Sequence, residues 1–140
     1  VDGAQIYVGA YDRRLYALDA SNGNIVWSTQ LNDWPQGGAV KIRGLVYAAC
    51  RSGTLYALHA ADGLVAWSRD LGGELRHGPA VGANGVGVIG VHPTKLMGVE
   101  MAAGHIAWEV AVAGAVFGQP ALADRMLFVA TRDGEVSAWR

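Results

Sequence analysis

"YALDASNGNIVW" (residues 16–27) is followed forty residues later by "YALHAADGLVAW" (residues 56–67). A third, weaker copy, "MGVEMAAGHIAW" (residues 97–108), closes at Trp108. Trp27, Trp67 and Trp108 are therefore spaced by 40 and 41 residues, and Gly23, Gly63 and Gly104 keep the same intervals. Equivalents of the "LYAL" stretch begin at Leu15, Leu55, Leu96 and Val136. A self-similarity of ~40–45 residues signals an array of supersecondary units stacked on one another.

The texture inside each unit says which array. Helical repeats of this length place apolar residues at i, i+3, i+4 and i+7, and these units do not. "QIYVGA", "LVYAAC" and "RMLFVAT" are short, β-branched and aromatic runs bounded by Gly, Asp and Asn. Each unit reads as four strands. "PAVGA" (79–83) or "PALAD" (120–124) is the first, and "VGVIGV" or "LFVATR" the second. Two-residue turns of the Ser52-Gly53 and Asp133-Gly134 type are expected to lead into the third, "TLYALHA" or "EVSAWR". Asn22-Gly23 or Asp62-Gly63 then turns the chain into the fourth, "NIVW" or "LVAW". Four antiparallel strands per repeat make the blade of a β-propeller. A β-sandwich with evenly spaced strands would not repeat a Trp at constant offset.

The recurring Trp has a plain physical role. A large ring on the outermost strand buries its plane against the neighbouring blade and gives its N–H to a backbone carbonyl there. The Gly four residues earlier permits the turn that aims the ring. Gly23, Trp27, Gly63, Trp67, Gly104 and Trp108 are accordingly the expected structural docking residues.

The arrangement resembles the tryptophan-docking repeat of the quinoprotein-like (pyrroloquinoline-quinone-type) propellers, whose pattern is roughly A-x-D-x-x-T-G-x-x-x-W. Ala17, Asp19, Gly23 and Trp27 match it. The second copy keeps Ala57, Gly63 and Trp67 with His59 in place of the Asp, and the third keeps Gly104 and Trp108 with Gly98 and Glu100 at the earlier positions. The resemblance runs over essentially the whole chain and is specific for fold rather than activity. It implies an all-β propeller of four-stranded antiparallel blades, with units near 1–34, 35–75, 76–116 and 117–140. The first unit lacks an inner strand and the last an outer one, so about 3.5 blades are expected. Families of this kind usually have seven or eight blades. The chain, which opens without Met and stops at "SAWR", is therefore expected to be a piece of a longer propeller. Self-association, or cover from the remaining blades, is expected for its terminal faces.

Bulk composition excludes several partners. The 140 residues carry 11 Lys+Arg against 12 Asp+Glu, a formal net charge of −1, so nothing in the balance favours nucleic acid or an anionic membrane. No apolar stretch approaches the ~18 residues of a membrane-spanning helix. The single cysteine, Cys50, has no internal disulfide partner and sits in an apolar strand, which reads as an inert buried thiol.

Candidate chemistry is sparse. His59, His77, His92 and His105 lie at least 13 residues apart, with no metal-ligand spacing. His59, at the Asp19 position, reads as a turn-stabilising hydrogen-bonding residue. No catalytic residue, cofactor contact or metal ligand is assigned in this chain. Members of the quinoprotein family hold pyrroloquinoline quinone against a Trp beside vicinal cysteines, with Glu, Asn and Asp on a calcium ion. Quinone and calcium are thus implied only if the full-length protein is an alcohol or sugar dehydrogenase.

The loops between second and third strands ("YDRR" 11–14, "RSG" 51–53, "HPTK" 92–95, "RDG" 132–134) and those between blades ("NDWPQ" 32–36, "GGELRHG" 72–78, "GAVFG" 114–118) share one face of a propeller. Arg13, Arg14, Arg51, Lys95 and Arg132 are expected to gather there with Arg76, His77 and Trp34, diluted by Asp12, Asp33, Glu74 and Asp133. The expected function is a non-catalytic scaffold that binds protein or peptide partners on this face, with Trp34 as an exposed aromatic anchor. The resemblance offers three hosts for such a repeat: the outer-membrane β-barrel assembly machinery, which uses a propeller lipoprotein, sensor domains of bacterial Ser/Thr kinases, and accessory propellers of adenylating enzymes. It favours a periplasmic or envelope location.

Overall fold

The structure, a computed structural model, describes residues 4–116, 118–123 and 125–139. Phe117, Asp124 and Arg140, which fall in three of the segments quoted above, lie outside the described residues.

Fourteen strands follow one another: β1 (Gln5–Gly9), β2 (Arg14–Asp19), β3 (Ile25–Gln30), β4 (Pro35–Ile42), β5 (Leu45–Cys50), β6 (Thr54–His59), β7 (Val65–Asp70), β8 (Ala80–Val81), β9 (Val86–Val91), β10 (Lys95–Glu100), β11 (Ile106–Ala111), β12 (Ala121–Ala123), β13 (Met126–Ala130) and β14 (Val136–Trp139). They form four antiparallel meanders in chain order, β1–β3, β4–β7, β8–β11 and β12–β14. The second and third are complete four-stranded blades of an all-β propeller; the first and last show three strands each among the described residues.

Between sheets lie three apolar layers. Leu15, Ala17, Trp27 and Leu31 meet Val46, Ala48, Cys50 and Leu58 between the first two blades. Tyr47, Ala49, Leu55 and Leu71 meet Ile89, Val91, Met97 and Val99 at the next junction, and Val88 and Leu96 meet Leu127 and Val129 at the last. A strand in a middle blade is therefore covered on both faces. This is why "LVYAAC" is apolar without alternation, all six of its residues being buried or half-buried.

The hairpins differ from the expected two-residue turns. Ala10 N–H donates to Arg14 O and Arg13 N–H to Ala10 O, which closes a three-residue loop with φ 66° at Arg13. Gly53 and Gly134 end equivalent turns, each donating to the carbonyl three residues back. This is a type I turn followed by a left-handed residue, the usual three-residue hairpin connection. The turn before each fourth strand is longer too. Asp19 N–H donates to Asn24 O and Gly23 N–H to Asp19 O, enclosing four residues, Ala20 to Gly23. His59 is exposed in that turn and its ring makes no hydrogen bond among the described residues, so it does not do what Asp19 does with Ser21.

The tryptophans latch blades in series. Trp27 is opposite Ala17 on its own sheet and reaches across to the next blade, where Nε1 donates to Ala60 O at 2.9 Å. Trp67 is opposite Ala57 and donates to Met101 O at 3.1 Å. Each ring covers a glycine of the receiving blade: a Cβ on Gly63 would sit 2.5 Å from Trp27 Cε3, and one on Gly104 2.5 Å from Trp67 Cε3. The glycines thus serve the turn of their own blade, at φ 75° and 78°, and the ring of the preceding one. A second clamp lies two residues beyond each Trp. Thr29 Oγ1 donates to Gly63 O (2.6 Å), and Arg69 Nε to Gly104 O (2.9 Å).

Candidate functional site

Two loops from adjacent blades meet repeatedly on one face. Arg51 N–H donates to Trp34 O (3.1 Å), His92 N–H to Glu74 O (2.8 Å) and Arg132 N–H to Ala115 O (2.8 Å). Tyr11, Arg51, His92 and Arg132 hold one repeat position, separated by 40, 41 and 40 residues, and Trp34, Glu74 and Ala115 hold the other. The two positions alternate around the face, so each side chain is flanked by members of the other set.

A connected row results. Tyr11 packs edge-on against Trp34, with ring centroids 4.9 Å apart at 83°. The Arg51 guanidinium carbon lies 5.5 Å from the centroid of the same indole, within cation–π range. Arg51 Nε is 3.3 Å from Glu74 Oε1, and Arg76 Nε reaches the same oxygen at 3.3 Å. Glu74 Oε1 thus serves two guanidiniums, and the side chain of Arg51 is 51% exposed.

The expected site residues are distributed unevenly over this face. Trp34, Arg51 and Arg76 come together around Glu74. Trp34 is half-buried, and its Nε1 is buried with no acceptor among the described residues, so the indole is the base of the row and not a ring held out to a partner. Tyr11, 83% exposed, takes the position foreseen for Trp34. His77 lines a narrow crevice with Glu74, Arg76 and His92. Arg13 is exposed at its turn, Arg14 turns Nη1 to Ser28 Oγ (3.2 Å), and Arg132 is exposed at the β13–β14 turn. Glu74 was expected on this face only as a diluting charge, and Tyr11 was not singled out; superposing the repeats on Leu15, Leu55, Leu96 and Val136 puts both in the row.

Burial pushes the Cys50 thiol up to about 12, which removes it as a nucleophile. Among the described residues no three His, Cys, Asp or Glu are grouped to hold a metal ion. Calcium needs several converging oxygens, and a quinone site of the kind outlined above needs vicinal thiols. The residues present fit neither group. No helix is long and apolar enough to cross a membrane.

Blades latched in series by Trp and Gly, with loops of adjacent blades meeting on one face, define a quinoprotein-like β-propeller. The family model for the outer membrane protein assembly factor BamB matches residues 1–70 and 51–139, and the chain belongs to that family. BamB from Moraxella catarrhalis is similar in fold at TM-score 0.84 and 21% identity, over 98% of this chain and 43% of that one. The chain thus spans less than half the length of that relative. A quinohemoprotein alcohol dehydrogenase from Comamonas testosteroni shares the fold over 77% of this chain and 19% of its own (TM-score 0.67, 23% identity). The computationally designed Ika4 protein does so over 99% and 86% (TM-score 0.81, 13% identity). No curated protein sequence matches the chain.

Proposed function

We propose that this chain is a non-catalytic propeller scaffold that binds a protein or peptide partner on its loop face, in the assembly of outer-membrane proteins that gives its family its name. The observation that carries the proposal is the Tyr11–Trp34–Arg51–Glu74–Arg76 row, which spans two blade junctions. It offers an exposed phenol, an indole-backed guanidinium and a second guanidinium already held in position. Aromatic and Arg side chains are the residue types that dominate binding energy at protein interfaces. The Arg forks fit a carboxylate on the partner, which would compete with Glu74. Arg13, Arg14, His77 and Arg132 form the polar margin. Membership of the family favours a periplasmic or envelope location.

A photo-crosslinking residue placed at Tyr11 tests the reading, with the same residue at Asn22 on the opposite end of the blade as control. Adducts with one discrete partner at position 11, suppressed by Arg76→Glu and absent at position 22, support it. Equal adducts at both positions, or adducts indifferent to Arg76→Glu, would remove the loop face as the docking surface.

A further inference from the structure

The second and third blades, both complete, leave a cleft of about 410 Å³ between them at the end opposite the loop face. That volume is in the range of small-molecule sites. One wall is the β4–β5 hairpin, with Ile42, Arg43 and Leu45, and the other is the β8–β9 hairpin, with Val81. Tyr47 and Met101, both buried, complete the lining from within the blades. Both walls are pinned. Ala60 N–H donates to Gly44 O (2.9 Å) and Met101 N–H to Gly85 O (3.0 Å). Tyr47 Oη and Trp67 Nε1 both donate to Met101 O, at 2.9 and 3.1 Å. The cleft therefore exists before anything enters it, which lowers the cost of binding.

Arg43 is the charged member of this lining. Its side chain is exposed and makes no ion pair or hydrogen bond among the described residues. The hairpin that carries it is a two-residue turn, Ile42 being opposite Leu45, with φ 50° at Arg43 and 81° at Gly44. Such a turn prefers Asn, Asp or Gly at its first position, and a long L side chain is strained there. The strained residue is the one whose charge reaches the cleft: burial raises the Tyr47 pKa, and the Arg43 charge opposes that rise. Strain held at one residue of a pinned turn points to a role for its side chain.

We propose that this cleft binds an aliphatic carboxylate, its acyl tail between the two blades and its head on the Arg43 guanidinium. Among the described residues that line it, the other polar side chain is Tyr47, whose hydroxyl is already given to Met101 O. A tail of methylenes asks for no hydrogen bond and gains by leaving water. A peptide would bring amides that these side chains cannot pair. One carboxylate answers one guanidinium, and no Asp or Glu of the lining competes for it.

Decanoate is the probe, titrated onto the protein by isothermal calorimetry. One saturable site is expected with a Kd below about 1 mM, and decanol, with the same tail and no charge, binds about 3–10-fold more weakly. Arg43→Asn places a residue that the turn prefers. It is expected to weaken decanoate by about 3–10-fold, leave decanol unchanged and raise the melting temperature, so lost binding cannot come from unfolding. Ala102→Trp, at an exposed position of the rim, closes the cleft to both probes. No saturable binding, equal affinity of the parent and Arg43→Asn for decanoate, or binding that survives Ala102→Trp would overturn the proposal, the last by seating the tail on another apolar surface. Binding of a peptide that ends in leucine, without binding of decanoate, would overturn it in favour of a chain terminus.

Discussion

Thr29 Oγ1 and the carbonyl oxygen of Gly63 are 2.6 Å apart, and this bond pins the glycine on which the Trp27 ring lies. The receiving turn is thus fixed from two sides by one strand of the preceding blade. Stability is concentrated at a few such points, so small substitutions there have large and different effects.

Gly104→Ala introduces a methyl against the Trp67 ring at a residue whose φ is 78°, whereas Gly23, at φ 74°, has nothing within 4 Å of its would-be Cβ. The first change is expected to cost about 2–5 kcal/mol, from strain and overpacking together, and the second about 1–2 kcal/mol from strain alone. Thermal denaturation resolves the two at roughly 2–4 °C per kcal/mol. Equal losses would mean that the ring does not rest on the glycine.

Trp27→Ala and Trp67→Ala remove latches and are each expected to cost about 3–5 kcal/mol by chemical denaturation. Trp108→Ala removes a ring that is 38% exposed, and its cost falls below both.

Alkaline pH acts through Cys50. Its folded-state pKa is raised from 9.0 to about 12 by burial, so above pH 9 the unfolded chain releases a proton that the folded one retains. The stability gained from keeping the thiol neutral is complete below pH 9 and is lost as pH rises towards 12, with a slope approaching about 1.4 kcal/mol per pH unit. Tyr47 and Tyr56, whose pKa values burial also raises, add in the same sense at higher pH. Urea titrations of the parent and Cys50→Ala at about pH 8 and pH 10 isolate the thiol: the parent loses more stability than the variant. Thiol reagents react with Cys50 only when the blade opens.

Glu74→Gln removes the charge shared by Arg51 and Arg76. Both guanidiniums are partly exposed, so the expected loss of stability stays within about 1 kcal/mol. Crosslinking from position 11 should change far more than the melting temperature, and a large stability loss with unchanged crosslinking would make Glu74 a structural residue.

The blade order, the strand count per unit and the positions of the docking tryptophans were legible because they depend on period and on residue types that tolerate few substitutes. Turn geometry was less so. Arg13 at φ 66° does the work of Gly53 and Gly134, and an arginine carries no sign of that conformation. The clamp at Thr29 and Arg69 escaped notice because two different side chains reach the same carbonyl by different atoms, leaving no letter to repeat. Trp34 looked like an exposed anchor because it lies in a polar loop. Its partners Tyr11 and Arg51 belong to two other loops, one of them in the neighbouring blade, and only the packing of blades brings them over it.

Every side-chain bond of the latches spans 33 to 35 residues of chain, whichever junction is considered. Plug and receptacle are therefore carried by each unit together, one at its outer strand and one at its outer turn. Copying any stretch of about forty residues in tandem duplicates both halves of the fitting in register, and excising one rejoins its neighbours through matching halves. The gene can lengthen or shorten such an array by whole units without redesigning an interface, which is how a family with this repeat can arrive at different numbers of blades from the same part.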